Sequence, residues 1–308
     1  MRYFDLHCDT LYEMYEKNVG FFESGCQVSL ENASLFDGYA RVCAIWTKAG
    51  ISDDAAFERY KSILAHAKNA SDERTAFCKT SKEISDSRRA EKIPLILAVE
   101  GANLLGGDIS KLDELFCDGV RFLTLVWKGS DCIGGAWNTD DGLTDFGKEV
   151  VLRCGELGIF VDVSHSSRKT TRQAIDIAER CGTKIVATHS NSFSCCEHGR
   201  NLTDCEAKAV AALGGVIGIS LVPAHLRNGG NADISDVLRH IEHYVSLGIE
   251  KNVCIGADFD GVVDLPSGIS GERDVKKIYD LLSAACASAE IADDVFWNNA
   301  ERFINKNM

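Results

Sequence analysis

Tyr3-Phe-Asp-Leu-His-Cys-Asp-Thr10 is a short, largely apolar segment near the N-terminus that becomes polar at its end. It predicts a first β-strand, Tyr3–Cys8, that runs directly into a polar turn. An open, doubly wound α/β sheet usually carries a glycine-rich phosphate-binding loop at this place, and the segment contains no glycine. The first strand therefore favours a closed barrel over an open sheet.

Similar short apolar segments recur along the chain and are separated by helical patterns. Most of them are nearly all apolar, which is typical of parallel strands covered on both faces. The eight candidate strands are Tyr3–Cys8, Ala40–Trp46, Pro94–Val99, Gly119–Leu125, Ile159–Val163, Lys184–Thr188, Gly215–Ser220 and Asn252–Ala257. The candidate helices are Asp53–Ala70, Thr144–Leu157, Arg168–Arg180, Thr203–Leu213, Ser235–Leu247 and Asp293–Ile304. Eight strands that alternate with helices predict an α/β fold, the (β/α)8 TIM barrel.

Composition bounds the function. The chain has 308 residues with 46 acidic and 33 basic side chains, a net charge of −13, and 13 cysteines without a CxxC pair. An acidic chain of this kind disfavours general nucleic-acid binding and docking on an anionic membrane. We expect reduced thiols, a cytoplasmic location and no membrane span, since no apolar run approaches ~18 residues. Without repeats or a proline-rich linker, we expect one domain over residues 1–308, with Gly129–Gly142 as an active-site loop.

Residues of the types that commonly bind metal ions lie at the ends of several predicted strands. In a TIM barrel the active site forms at the carboxyl ends of the strands. Imidazole and carboxylate groups suit zinc and similar divalent metals. The residues at these ends are His7 and Asp9 on the first strand, Glu100 on the third, His165 on the fifth, His189 on the sixth and Asp258 on the eighth.

Each of these residues alone also has an ordinary structural interpretation. His7 could bond Asp9, Glu100 could be a solvated loop carboxylate, and Asp258 could be a turn residue. The sharper signal is that His165 and His189 each follow a serine or threonine at the end of successive strands. Two core histidines satisfied by backbone carbonyls would require the same coincidence twice.

Several of these motifs, in order from the N-terminus to about residue 265, resemble the membrane (renal-type) dipeptidase family of zinc peptidases (family M19), in its bacterial, cytoplasmic form. The motifs are Phe4-Asp-Leu-His-Cys-Asp-Thr10, Val99-Glu-Gly101, Gly119-Val-Arg-Phe-Leu-Thr-Leu125, Gly142-Leu-Thr-Asp-Phe-Gly147, Val161-Asp-Val-Ser-His165, Thr188-His-Ser190, Arg200-Asn-Leu-Thr-Asp204 and Gly256-Ala-Asp-Phe-Asp-Gly261. The resemblance implies a metal-dependent hydrolase barrel in which two zinc ions activate the hydroxide that cleaves a dipeptide. It also leads us to expect a homodimer.

The same resemblance implies a role for each site residue. His7 and Asp9 would bind one zinc ion, and His165 and His189 would bind the other. Glu100 would bridge the two ions as a catalytic carboxylate. Asp258 would be the catalytic acid near the scissile bond, and Arg200 would bind the carboxylate of the substrate.

One departure from the family lies in Leu123-Thr-Leu-Val-Trp127-Lys128. Animal enzymes of the family carry a histidine there that steadies the tetrahedral intermediate. Trp127 can donate one N–H group but cannot carry a charge, so we interpret it as a wall of the substrate pocket. Lys128 would supply the charge only if the loop turned it inward.

Two alternatives remain open at this point. The chain could be another metal hydrolase on the same barrel, such as a deaminase, lactonase or phosphoesterase, or a metal-binding homologue without turnover. The segment Arg200-Asn-Leu-Thr-Asp204 favours a dipeptide. Among the other histidines, we expect His66, His240 and His243 on helix surfaces, His198 at the rim near Arg200, and His225 in the loop after the seventh strand.

Overall fold

The computed structural model describes residues 1–23, 25–48, 50–285 and 289–308. Within these ranges the strands are β1 Arg2–Cys8, β2 Gly38–Trp46, β3 Thr75–Phe77, β4 Ile93–Glu100, β5 Val120–Thr124, β6 Phe160–Asp162, β7 Ile185–Val186, β8 Ile217–Ile219 and β9 Val253–Ile255. The α-helices are α1 Thr10–Lys17, α2 Asp53–Ala70, α3 Ser81–Arg89, α4 Ser110–Asp118, α5 Asp145–Leu157, α6 Arg168–Cys181, α7 Asp204–Ala212, α8 Pro223–Leu226, α9 Ile234–Ser246, α10 Val275–Ala285, α11 Ala289–Asp293 and α12 Asn299–Asn307.

The strands form one parallel sheet that curls into a barrel. Its order is β7-β6-β5-β4-β2-β1-β9-β8, with β3 paired to the start of β4. The gap between β7 and β8 is closed by a parallel bridge between Ala187 and Ile217 and by the bond from Gly218 N to Ala187 O, 2.8 Å long. The eight-stranded ring confirms the predicted TIM barrel and brings the carboxyl ends of its strands to one rim.

Buried side chains form two layers around the sheet. The larger cluster lies between the strands and the surrounding helices. The smaller cluster joins alternate strand residues, such as Phe4 and Phe160, to the C-terminal helix α12. The ring of Phe160 lies 4.8 Å from that of Phe303 in α12. Of the helices described, none is long and apolar enough to cross a membrane.

Local sequence signals explain most element boundaries. Thr203 begins α7 with a capping box in which its hydroxyl accepts the Glu206 amide and the Glu206 side chain accepts the Thr203 amide. Helix α5 ends at Gly158, whose φ of 79° favours glycine. The predicted eight strands are all present, but the prediction missed β3. Its three residues are too few to show a periodic pattern.

Candidate active site

The six predicted strand-end residues converge on one rim of the barrel. His7 lies in β1 and Asp9 just after it, and Glu100 is the last residue of β4. The other three follow the ends of their strands: His165 after β6, His189 after β7 and Asp258 after β9. Each of the six side chains is at most 11% exposed. The structure therefore places together the residues that the sequence singled out.

Glu100 and two imidazoles form the first part of the cluster. The Oε1 atom of Glu100 lies 2.7 Å from His165 Nε2 and 3.3 Å from His189 Nε2. The two Nε2 atoms are 2.9 Å apart. His165 Nδ1 lies 3.0 Å from the carbonyl oxygen of Trp127, which can only accept a hydrogen bond. His165 therefore donates through Nδ1 and presents a lone pair at Nε2 toward Glu100 and His189.

His7 joins this group to the second one. Its Nε2 atom lies 3.8 Å from Glu100 Oε1, 3.6 Å from Asp9 Oδ2 and 3.9 Å from Asp258 Oδ1. The buried atoms His7 Nε2 and Asp9 Oδ1 have no hydrogen-bond partner in the described part of the chain. A buried polar atom without a partner is costly, and a bound cation would satisfy both atoms.

Two overlapping sets of donor atoms fit a divalent metal. His7, Glu100 and His189 form one set, and His7, Asp9 and Asp258 form the other, each with its ligand atoms within 4.8 Å of one another. Neutral imidazole nitrogen and carboxylate oxygen are ordinary ligands of zinc and related ions. The residues present therefore fit the kind of metal that the sequence predicts.

Burial, together with the neighbouring carboxylates, raises the pKa values of the three acids in the metal-free protein. Burial raises the pKa of Glu100 to about 7 and that of Asp258 to about 7. Burial and the charge of Glu100 raise the pKa of Asp9 to about 6. The pKa values of His165 and His189 are lowered well below the usual range, first by burial. A cation at this place would favour the ionised carboxylates and the neutral imidazoles.

His7 differs from the other two imidazoles. Burial lowers its pKa, but the close contact with Asp9 and the charges of Glu100, Asp9 and Asp258 outweigh burial and raise the pKa well above the usual value. His7 is thus the imidazole most strongly surrounded by negative charge. In the absence of metal, a proton on this ring partly balances the three carboxylates.

The backbone is strained at two of the site residues. His165 has a φ of 68° and Asp258 a φ of 64°, the left-handed region that residues other than glycine rarely adopt. Strain of this kind persists only where the surroundings fix it, and it is frequent at active sites. The strain here turns both side chains into the cluster directly after their strands end.

Arg200 reaches the same cavity from the loop before α7. Its side chain is buried, and its Nε and Nη1 atoms have no partner among the described residues. Burial lowers the pKa of this guanidinium, while Asp258 and Glu100 act against that shift. The cavity has a volume of about 840 Å³ and is lined by Asp9, Glu100, His165, Arg200 and Asp258 among others. This size is that of a small-molecule site.

Aromatic rings form one wall of the cavity. The ring of Trp127 lies 5.0 Å from that of Trp46, which in turn lies 4.9 Å from Tyr12. All three residues line the cavity, as does Trp137 from the predicted active-site loop. Lys128 is exposed but also lines the cavity. Trp127 therefore lies where the sequence analysis placed it, while Tyr12 and Trp46 were missed.

The structure also corrects one expectation and adds two residues. His240 is fully buried in α9 rather than on its surface, and its Nδ1 atom accepts the Ser192 amide at 3.0 Å.

Two buried residues next to the cluster, Asp162 and Thr188, were not singled out from the sequence. A useful signal was the acidic residue inside the apolar strand β6. His225 lines the cavity, as the sequence allowed.

Solved structures of known proteins share this architecture over their full length. A metallo peptidase from Rhodobacter sphaeroides, liganded with a phosphinate mimic of the dipeptide L-Ala-D-Ala, has a TM-score of 0.91 and 22% identity. The match covers 100% of this chain and 99% of that one. At this identity the similarity establishes the fold.

Sequence comparisons identify the family. An uncharacterised protein of the pqqA 5′ region of Klebsiella pneumoniae is 28% identical over 78% of this chain and 90% of its own length. An uncharacterised dipeptidase of Schizosaccharomyces pombe is 31% identical over 65% of this chain, which spans 48% of that relative. The family model described as Membrane dipeptidase (Peptidase family M19) matches residues 1–307. The chain therefore belongs to the membrane dipeptidase family, a family of metal-dependent peptide-bond hydrolases.

Proposed function

We propose that this protein hydrolyses the peptide bond of dipeptides with two zinc ions held at the rim of the barrel. The observation that supports this most strongly is the coexistence, in one cavity, of unpartnered metal-ligand atoms and an unpartnered guanidinium. His7 Nε2 and Asp9 Oδ1 are buried without a partner, and so are Nε and Nη1 of Arg200. One set suits a cation and the other an anion, as a dipeptidase requires.

The metal site is proposed from the donor atoms described above. His7 and Asp9 would hold one ion, His165 and His189 the other, and Glu100 would bridge them. Zinc bound there would supply Lewis-acid polarisation of the scissile carbonyl and a water nucleophile of lowered pKa. Glu100 suits the bridging position because a single oxygen, Oε1, already faces all three imidazoles.

Arg200 would fix the carboxyl-terminal end of the substrate. A buried guanidinium of this kind can bind a carboxylate through two parallel hydrogen bonds, from Nη2 together with either Nε or Nη1. A free C-terminal carboxylate held there would place the last peptide bond of the substrate at the metal site. A substrate without this carboxylate, such as a dipeptide amide, would bury an uncharged group against Arg200 and leave the guanidinium without its partner. Trp127 would form the adjacent pocket wall.

Asp258 would carry the proton during the reaction. Its Oδ1 atom lies beside His7, and the residue lines the cavity together with Arg200. Hydrolysis requires one proton to leave the attacking water and one to reach the departing amine. A carboxylate that faces the cavity from β9 can accept the first at Oδ1 and deliver it to the amine nitrogen.

The proposal is tested with purified protein, a zinc titration and a substrate panel. The panel contains Ala-Ala, L-Ala-D-Ala, the tripeptide Ala-Ala-Ala, Ala-Ala amide, a lactone and a phosphodiester. We choose the L-D pair because the Rhodobacter relative binds a mimic of it. We expect about two zinc ions per chain and hydrolysis of dipeptides alone. Cleavage of the lactone or phosphodiester instead, or full metal loading without any hydrolysis, would contradict the proposal.

A pair of variants at Arg200 makes the test specific. Arg200→Ala should raise KM for Ala-Ala by about 10²-fold or more, since it removes a buried pair of charge-assisted hydrogen bonds. It should leave the zinc content unchanged. Arg172→Ala, on the exposed side of α6, is the matched control and should behave as the wild type.

A further inference from the structure

Thr188 occupies the space between a buried carboxylate and two imidazoles of the cluster. Its Oγ1 atom lies 2.6 Å from Asp162 Oδ2, 2.9 Å from His189 Nδ1 and 3.3 Å from His7 Nδ1. The rings of His7 and His189 lie against each other, with centroids 3.7 Å apart. All four residues are at most 1% exposed. A single hydroxyl thus contacts one imidazole from each of the two proposed metal positions.

Asp162 is held as an acceptor on all sides. Its Oδ1 atom accepts the backbone N–H groups of Ser164 and Thr188, both at 2.9 Å. Its Oδ2 atom accepts the hydroxyls of Thr124 and Thr188, at 2.7 and 2.6 Å. Two oxygens that receive four donors fill the acceptor sites of an ionised carboxylate.

The number of protons then fixes the direction of each hydrogen bond. Thr188 has one hydroxyl proton and donates it to Asp162, because a carboxylate only accepts. The oxygen of Thr188 keeps two lone pairs, so the Nδ1 atoms of His189 and His7 must be the donors. Each ring then carries a proton on Nδ1, which leaves Nε2, the atom that faces Glu100, as the nitrogen available to a metal ion.

We propose that Asp162 and Thr188 are positioning residues that fix the tautomer and ring orientation of His7 and His189 for metal binding. The proposal rests on the metal-binding part of the proposed function and not on the identity of the substrate. Groups that receive the outer N–H of a ligating histidine raise its basicity, and their loss typically weakens metal binding about 10–100-fold. One buried pair would here serve both metal positions.

The experiment compares three substitutions of the full-length protein. Thr188→Val removes the hydroxyl with little change in shape, and Thr188→Ser retains it. Thr124→Val is the matched control, because it removes another hydroxyl from the same oxygen of Asp162 but contacts neither imidazole. Zinc affinity is measured by competition with a chelator. The histidine tautomers are read from nitrogen-15 NMR shifts of the metal-free protein, and thermal unfolding reports the fold.

We expect Thr188→Val to weaken zinc binding about 10–100-fold, while Thr188→Ser and Thr124→Val stay within about threefold of the wild type. We also expect a neutral His189 protonated at Nδ1 in the wild type and in Thr188→Ser, and mixed His189 tautomers in Thr188→Val. An equal loss of affinity in Thr124→Val and Thr188→Val would overturn the proposal, and so would a His189 ring protonated only at Nε2 in the wild type. The NMR result tests the proposal even if the wild type fails to cleave dipeptides.

Discussion

Two buried aspartates, Asp5 in β1 and Asp162 in β6, support opposite sides of the cluster with the same backbone contacts. Asp5 accepts the amide of His7 at 3.2 Å and that of Ala257, just after β9, at 2.9 Å. Asp162 accepts the amide of Ser164, just after β6, and that of Thr188, just after β7. In both cases the amide from the other strand segment belongs to the residue directly before a site residue: Ala257 precedes Asp258, and Thr188 precedes His189.

The other oxygen distinguishes the two aspartates. Asp5 Oδ2 accepts Tyr3 Oη at 2.6 Å and the guanidinium of Arg41 at 3.1 Å. Arg41 is fully buried and also pairs with Glu272 at 2.7 Å. Asp162 has no cation within ion-pair distance in the described part of the chain and accepts hydroxyls. We infer that the Asp5 side mainly stabilises the barrel, whereas the Asp162 side mainly orients imidazoles.

We expect the largest effect from a substitution of Glu100, the carboxylate that faces the imidazoles on both sides of the cluster. Glu100→Gln keeps the shape of Glu100 but removes the charge that faces His7, His165 and His189. We expect kcat for Ala-Ala to fall at least about 10³-fold, since a metal supplies several kcal/mol of charge stabilisation. Turnover and zinc content are measured together. Glu179→Gln, on the exposed side of α6, is the control, and a Glu100→Gln variant that retains a tenth of the activity would contradict the shared role.

The next prediction compares the two aspartates by the free energy of unfolding that is lost when each is replaced by asparagine. Asp5→Asn breaks a buried ion pair and places an amide beside Arg41, so we expect a loss of about 3–5 kcal/mol in the free energy of unfolding. Asp162→Asn keeps an oxygen for the two backbone amides and turns its NH₂ group toward hydroxyls that can accept. We expect it to lose about 1–3 kcal/mol. Urea unfolding of the metal-free protein measures both losses.

A double substitution checks the cause of the larger loss. If the cation is responsible, Asp5→Asn should cost much less in an Arg41→Met background, where no guanidinium is left uncompensated. Equal losses in Asp5→Asn and Asp162→Asn would show that the two aspartates differ only in their neighbours and not in their function.

A smaller effect concerns pH between 6.5 and 7.5. The raised pKa values of Glu100 and Asp258, about 7 in each case, mean that the folded protein keeps protons that the unfolded chain has released. Stability from these groups is therefore lost as pH rises through about 7. The lowered pKa values of His165 and His189 act in the opposite direction, most strongly near and below their ordinary value of 6.5, whereas the raised pKa of His7 acts in the same direction as the carboxylates.

We therefore expect the metal-free protein to lose about 1 kcal/mol, or roughly 2–4 °C in Tm, over this pH unit. Asp258→Asn should reduce the loss, and saturating zinc should abolish it, because the bound metal keeps the carboxylates ionised. Thermal unfolding at several pH values measures the slope. A metal-free protein that became more stable over this range would contradict the assignment.

A feature of the fold or the site could be predicted from the sequence when it depends on neighbouring residues, and could not when it depends on contacts between distant segments. The barrel and the strand-end residues could be predicted because an apolar run that ends in a histidine or acid is visible within about six residues. The role of Thr188 could not, since it depends on the register between β6 and β7, where Asp162 pairs with Val186. His240 was misplaced because its burial follows from the packing of one face of α9, where Val237 and Tyr244 are also buried.

The smallest effect concerns the imidazole that is oriented by the backbone. His165 donates to the carbonyl oxygen of Trp127, so replacing the side chain at that position should leave the ring in place. We expect Trp127→Phe to keep zinc affinity within about threefold of the wild type and to raise KM for Ala-Ala only a few-fold, through weaker packing against Trp46. Trp297→Phe, in the smaller of the two buried clusters, is the control for loss of an indole. A 10-fold loss of zinc affinity in Trp127→Phe would show that side-chain contacts orient His165 as well, because the carbonyl acceptor is present in both proteins.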